Sequence, residues 1–162
     1  ALRSSTQLFL KILRTRWLVR LPIALYRLRL GFVFGNRLLM LEHYGRVTGK
    51  RRYAVLEIIG HTPGTYFVVS GFGEHAEWAK NIRHTPWVAV SVGSRRPLSA
   101  VATRLEPAEG ALILAEYAER YPRTWQALVP VLQELRGESV FDPSGVVVVA
   151  LRLVDEWGYR AL

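Results

Sequence analysis

The chain has 162 residues, half of them hydrophobic, and a formal net charge of +9. That length buries a core in a single domain without covalent staples, and with no cysteine neither a disulfide framework nor a thiolate metal site is available, which suits a reducing cytoplasm. The four histidines, His43, His61, His75 and His84, lack metal-ligand spacing, so no metal is expected.

The charge is unevenly placed. Eight cations (Arg3, Lys11, Arg14, Arg16, Arg20, Arg27, Arg29 and Arg37) precede the first acid, Glu42. Leu8, Phe9, Ile12, Leu13 and Trp17 recur at helical spacing with Lys11 and Arg14 off that stripe, so Thr6 to Val19 reads as a basic amphipathic helix that Thr6 could cap. Pro22 interrupts, a second short helix is expected over Ile23 to Leu30, and Gly31 and Gly35 loosen the chain, making 1–36 a basic helical segment ahead of the main unit at 37–162. Arginines recur too often for a signal peptide or a bilayer span. The stripe suits contact of residues 6–20 with an anionic membrane surface, at the inner face of a cytoplasmic membrane, and equally a helix docked on its own domain or on a second subunit.

From Arg37 onward the texture is that of strands. Arg37 to Tyr44, Arg52 to Ile59, Gly64 to Ser70, Trp87 to Gly93, Pro97 to Leu105 and Gly145 to Leu153 are short, rich in β-branched and aromatic residues, and bounded by Gly, Pro or Ser. The connections at His61 to Gly64 and Gly93 to Arg96 carry hairpin residues. Helical patterns cover Glu74 to His84, a stretch from Pro107 with Leu112, Ala115 and Ala118 on one face, and a stretch from Arg123 through Trp125, Leu128, Val129, Leu132 and Leu135 to Gly137. The expected fold is α+β: a mostly antiparallel barrel of about six strands carrying helices, without internal repeats.

Two stretches carry chemistry. Gly45 to Arg52, Gly-Arg-Val-Thr-Gly-Lys-Arg-Arg, joins four cations, two glycines and a threonine in one turn. Glycines let backbone amides approach a ligand, Thr48 adds a hydroxyl, and arginines offer forked donors, so the turn has the makings of an anion cradle, although a basic turn also serves as a solvated hairpin. Gly71 to Ala76 matches the dinucleotide pattern G-x-G-x-x-G/A after a strand and before a helix. A Rossmann half would continue with parallel strands and an acid for the ribose, whereas Trp87 to Leu105 reads as a hairpin and no acid lies between Glu77 and Glu106.

The series Gly45-Arg-Val-Thr-Gly49 with Arg52, then Ser70-Gly-Phe-Gly73, then Trp78 and Asn81 before Pro86 resembles the deazaflavin-dependent nitroreductase family, over roughly Leu38 to Trp125 plus a closing strand at Gly145 to Leu153. The resemblance implies a split β-barrel related to FMN-binding proteins and the deazaflavin coenzyme F420. It implies cofactor contacts from Arg46, Val47, Thr48, Gly49, Lys50 and Arg52, and from the strand residues Tyr53, Ala54 and Val55. Ser70, Gly71, Phe72 and Gly73 are implied beside them, with Trp78 as aromatic wall and Asn81 as a hydrogen-bonding partner. Val47 departs from the lysine typical of the family, with Lys50 and Arg51 nearby.

Three classes of function remain open: an F420-dependent oxidoreductase passing hydride to a hydrophobic acceptor such as a quinone, nitroaromatic or enone; an FMN-binding split barrel; and a non-enzymatic lipid or fatty-acid binder at a membrane surface. Nucleic acid is not expected, because the cations follow an amphipathic stripe. The catalytic residues are not legible. Tyr121, before Pro122, is the candidate proton source, and a helix-end packing role fits it equally. A homodimer with its groove near the subunit boundary is expected from the resemblance.

Overall fold

The computed structural model describes residues 38–70, 76–93 and 96–154. The expected helical segment 1–36, with its helices at 6–19 and 23–30, and Gly71, Phe72 and Gly73 lie outside these residues.

Six strands form among the described residues: β1 (Leu38–Tyr44), β2 (Arg51–Thr62), β3 (Thr65–Ser70), β4 (Trp87–Val92), β5 (Leu98–Arg104) and β6 (Val147–Leu153). They close into a barrel in the order β1-β2-β3-β6-β5-β4, every neighbour antiparallel. Among the described residues three helices interleave: α1 (Glu77–His84) between β3 and β4, then α2 (Pro107–Arg120) and α3 (Pro122–Arg136) between β5 and β6. This is the split-barrel α+β fold that the strand pattern and the family resemblance led one to expect. Among the described residues no helix is long and apolar enough to cross a membrane.

Period-two alternation builds two cores from one sheet. Leu39 and Leu41 of β1, Leu56 and Ile58 of β2, Val68 of β3 and Val147, Val149 and Leu151 of β6 pack together inside the barrel. Trp78, Ala79 and Ile82 of α1 belong to the same cluster, so α1 is packed into the barrel core. On the opposite face Ile59, Val69, Val146 and Val148 pack against Leu114 and Tyr117 of α2, with Trp125 and Leu128 of α3 partly buried beside them.

The differences from the sequence reading have physical causes. β2 runs to Thr62, past the expected end at Ile59, because a register shift between Ile58 and Gly60 lets pairing with β3 resume through Gly60↔Phe67. The buried face of α2 is Gly110, Leu114 and Tyr117, while Leu112, on the face shared with Ala115 and Ala118, is 67% exposed. Glycine sets that face: a Cβ at Gly110 would sit 3.1–3.2 Å from Val148 side-chain atoms, so the missing side chain lets the helix lie close on β6. α3 continues through Pro130, which is exposed.

Gly110→Ala therefore sets a helix-propensity gain of about 1 kcal/mol against overpacking of about 1–3 kcal/mol on a strand fixed from both sides. A net loss of about 1 kcal/mol in unfolding free energy is expected, read from the shift in urea midpoint.

Candidate functional site

The loop between β1 and β2 folds on itself. The Gly49 N–H donates to the Gly45 carbonyl at 2.8 Å and the Gly45 N–H to the Lys50 carbonyl at 2.9 Å. The Lys50 N–H donates to Thr48 Oγ1 at 3.3 Å. Gly49 has φ +67°, a left-handed conformation that favours glycine. At Gly45 a Cβ would stand 3.1 Å from Thr48 Oγ1 and 3.4 Å from Arg52 Nε, so a side chain there would press on the groups the loop gathers. Val47 is at the apex, 88% exposed, with Thr48, Gly49, Lys50 and Arg52 also exposed.

What fixes this loop is a side chain on α1. Asn81 Oδ1 accepts from the Arg46 backbone N–H at 3.1 Å and from Arg46 Nη1 at 3.0 Å. With the oxygen so placed, Asn81 Nδ2 faces His43 Nδ1 at 3.1 Å and must donate to it. His43 is therefore a neutral acceptor. Burial, reinforced by the charge of Arg52, pushes its pKa down to about 4. His43 pairs with Arg52 across the β1–β2 ladder and continues the register of Leu39 and Leu41. Arg46 Nη1 also meets Glu77 Oε2 at 2.8 Å, and Glu77 Oε1 lies 3.4 Å from Lys80 Nζ. The hydrogen bond and charge of Arg46 hold the Glu77 carboxyl below the usual carboxylate range.

Arg51 is otherwise engaged: its Nε meets Glu42 Oε1 at 2.6 Å, and contacts with Tyr53 and Glu42 raise its pKa further above the ordinary value. Among the expected contacts, Tyr53, Ala54 and Val55 follow directly on β2 and are partly buried. Ser70 ends β3, paired with Val147. Trp78 and Asn81 face inward, 8% and 2% exposed, Trp78 among core residues and Asn81 in the network above. Asn81 thus supports the loop, while Trp78 anchors the same face of α1 in the barrel core. His43 and Glu77 were not singled out by the sequence; the only signal for His43 was its place on the inward register of β1.

Tyr121 caps the end of α2, half exposed, its ring 5.4 Å from that of Tyr117. Tyr117 is buried and donates to Glu57 Oε1 at 2.5 Å. Glu57 lies six residues beyond Arg51, so about 20 Å of strand separates the cations from the tyrosines. Between them the outer face of β2 presents Tyr53 and Val55. Tyr117 also lines a small pocket with Ile59, Gly60, Phe67, Ile113 and Arg120. Among the described residues no group of three His, Asp or Glu side chains could hold a metal.

A closed antiparallel barrel with a helix packed into its core and a basic glycine loop tied to that helix defines a split-barrel protein with a donor set suited to an anionic group. The family model described as F420H(2)-dependent quinone reductase matches residues 20–130, and the chain belongs to that family. It is accordingly an oxidoreductase that depends on F420. Among solved structures, an F420-H2 dependent reductase (FDR-A) is 22% identical, with a TM-score of 0.52 over 73% of this chain and 96% of that one. A structure described as a domain-swapped dimer is also 22% identical, with a TM-score of 0.52 over 73% of this chain and 81% of that one. The heme storage protein HutZ from Vibrio cholerae is 16% identical, with a TM-score of 0.51 over 76% of this chain and 86% of that one. At these identities the likeness is one of fold. No curated protein matches the chain.

The His43 contact gives a signed pH dependence. Between pH 6.5 and about 4 the unfolded chain binds a proton at this position that the folded chain does not, so stability falls as pH drops through that window and is fully present above it. The contribution reaches about 1.4 kcal/mol per pH unit. His43→Gln is expected to remove this part of the acid slope in urea unfolding compared at pH 7 and pH 4.5.

Proposed function

We propose that the Gly45–Arg52 loop holds the anionic tail of F420 and that the protein reduces a hydrophobic acceptor of the quinone, nitroaromatic or enone class. The observation that carries this is the fixed posture of Arg46: its backbone N–H and Nη1 are engaged by Asn81, while Nε and Nη2 have no partner among the described residues. That leaves a forked edge for a phosphate or carboxylate oxygen pair. Lys50 and Arg52 extend the cationic surface, and the Thr48 hydroxyl supplies its neutral part.

When bound, the deazaflavin supplies chemistry as hydride. This chain's residues bind and orient. Tyr53 and Val55 give the outer face of β2 an aromatic and an aliphatic surface directly beyond the cations, suited to a flat ring, and Ala54 and Trp78 act by packing beneath it. Val47, Gly49, Ser70, Gly71, Phe72 and Gly73 complete the proposed contacts. Tyr121 is the candidate to hold a proton near the acceptor, since it is half exposed while Tyr117 is committed to Glu57.

We further propose that residues 6–20 touch an anionic membrane surface, through which a lipid-soluble acceptor would arrive, and that the protein forms a homodimer. The clustering of eight cations ahead of Glu42 supports the first. Vesicle cosedimentation that rises with anionic lipid and falls with salt tests it, and sedimentation velocity tests the second.

Titration with F420 and, separately, FMN, followed by fluorescence quenching, is expected to show preference for F420. Charge-assisted contacts to phosphate are each worth about 1.5–3 kcal/mol, so Arg46→Ala with Arg52→Ala should weaken F420 at least tenfold at low salt. Unchanged affinity would remove the cradle assignment. Tyr121→Phe should lower kcat for a quinone while leaving F420 affinity intact; equal kcat would exclude Tyr121 as proton source.

A further inference from the structure

Arg46 is in contact with an anion of the protein itself. One nitrogen, Nη1, is shared between the neutral Asn81 carboxamide at 3.0 Å and the Glu77 carboxylate at 2.8 Å. The two acceptors differ in what they do to an arriving ligand. Asn81 is buried and also holds the Arg46 backbone, so it fixes the arginine without altering its charge. The Glu77 side chain is 68% exposed and cancels part of that charge.

Building on the cradle reading, we infer that Glu77 is an internal counter-anion on Arg46, which an anionic ligand must displace or tolerate, and that it determines how tightly the loop takes up anions. Three features make the exchange physically accessible. Glu77 is solvated, so leaving Arg46 exposes no buried charge. It already has a second partner in Lys80, at 3.4 Å on the same helix. It lies in the first turn of α1, where the helix dipole favours a carboxylate whether or not Arg46 is near. Asn81 meanwhile keeps the guanidinium in place. Glu77 therefore tunes the site without building it.

A carboxylate retained at this distance repels an incoming phosphate across the solvated space above the loop, an interaction that salt screens. Removing its charge while keeping an acceptor for Nη1 should strengthen anion binding.

The test is Glu77→Gln, with two ligands: F420 by fluorescence quenching, and inorganic pyrophosphate by calorimetry as a probe that involves no turnover. At low salt the variant should bind both roughly 3- to 10-fold more tightly, the gain shrinking in high salt. The same substitution in an Arg46→Ala background should give a clearly smaller gain, since the competition for Nη1 is then absent and only the direct repulsion between Glu77 and the ligand is relieved. Unchanged or weaker binding by Glu77→Gln, with Arg46→Ala still weakening F420, would overturn this inference and leave the cradle standing. If Arg46→Ala alone leaves F420 affinity unchanged, the cradle reading fails, and the inference fails with it. Circular dichroism should be unaffected because Glu77 makes only surface contacts.

Discussion

One carboxamide couples the loop to the barrel. Asn81 is separated by 35 residues from the Arg46 backbone it holds and by 38 from the His43 ring it donates to. Its oxygen and its nitrogen are both committed, in a place where an unmet hydrogen bond costs about 1–3 kcal/mol. The orientation is self-consistent only with a neutral imidazole: a protonated His43 would turn a donor towards a donor, and a flipped carboxamide would turn its NH2 towards the Arg46 N–H groups. Burial of His43, beside a cation on β2, keeps the ring in the required state.

The same network changes what the net charge means. Of the four cations in the loop, Arg51 is paired with buried Glu42 and Arg46 with exposed Glu77. The field above the loop is thus weaker than its composition suggests, and Lys50 and Arg52 carry most of it. Geometry makes up the difference, because an arginine held by its backbone and one nitrogen loses less entropy on meeting a ligand than a freely rotating one.

The strands were legible because alternation and turn residues report local geometry, and all six appear close to where Val-, Leu- and Ile-rich runs lie between Gly and Pro. The loop was legible for a similar reason, as its glycines and cations are contiguous. Contacts across the fold were not. The apolar face marked by Leu112, Ala115 and Ala118 leaves Leu112 exposed, while Gly110 is buried, because close packing on Val148 rewards the absence of a side chain and apolar periodicity cannot register that. Trp78 and Asn81 have the spacing of a cleft-lining pair, yet both are buried, since that face of α1 is turned into the barrel. His43 and Glu77 acquire meaning only when β1, the loop and α1 come together, and no spacing in the sequence encodes that meeting.

The strand order has a consequence for how the molecule is made. β6 lies between β3 and β5, which are otherwise unpaired on those sides, so the barrel cannot close until β6, Val147–Leu153, has been synthesised and inserted. Until then β3 and β5 expose open edges, and the inner and outer cores both lack the β6 valines that complete them. Closure joins Thr65 to Arg152, a pairing across most of the described chain. A chain stalled before β6 would present edges prone to intermolecular pairing, making the final insertion the step at which a nascent chain is most exposed to aggregation.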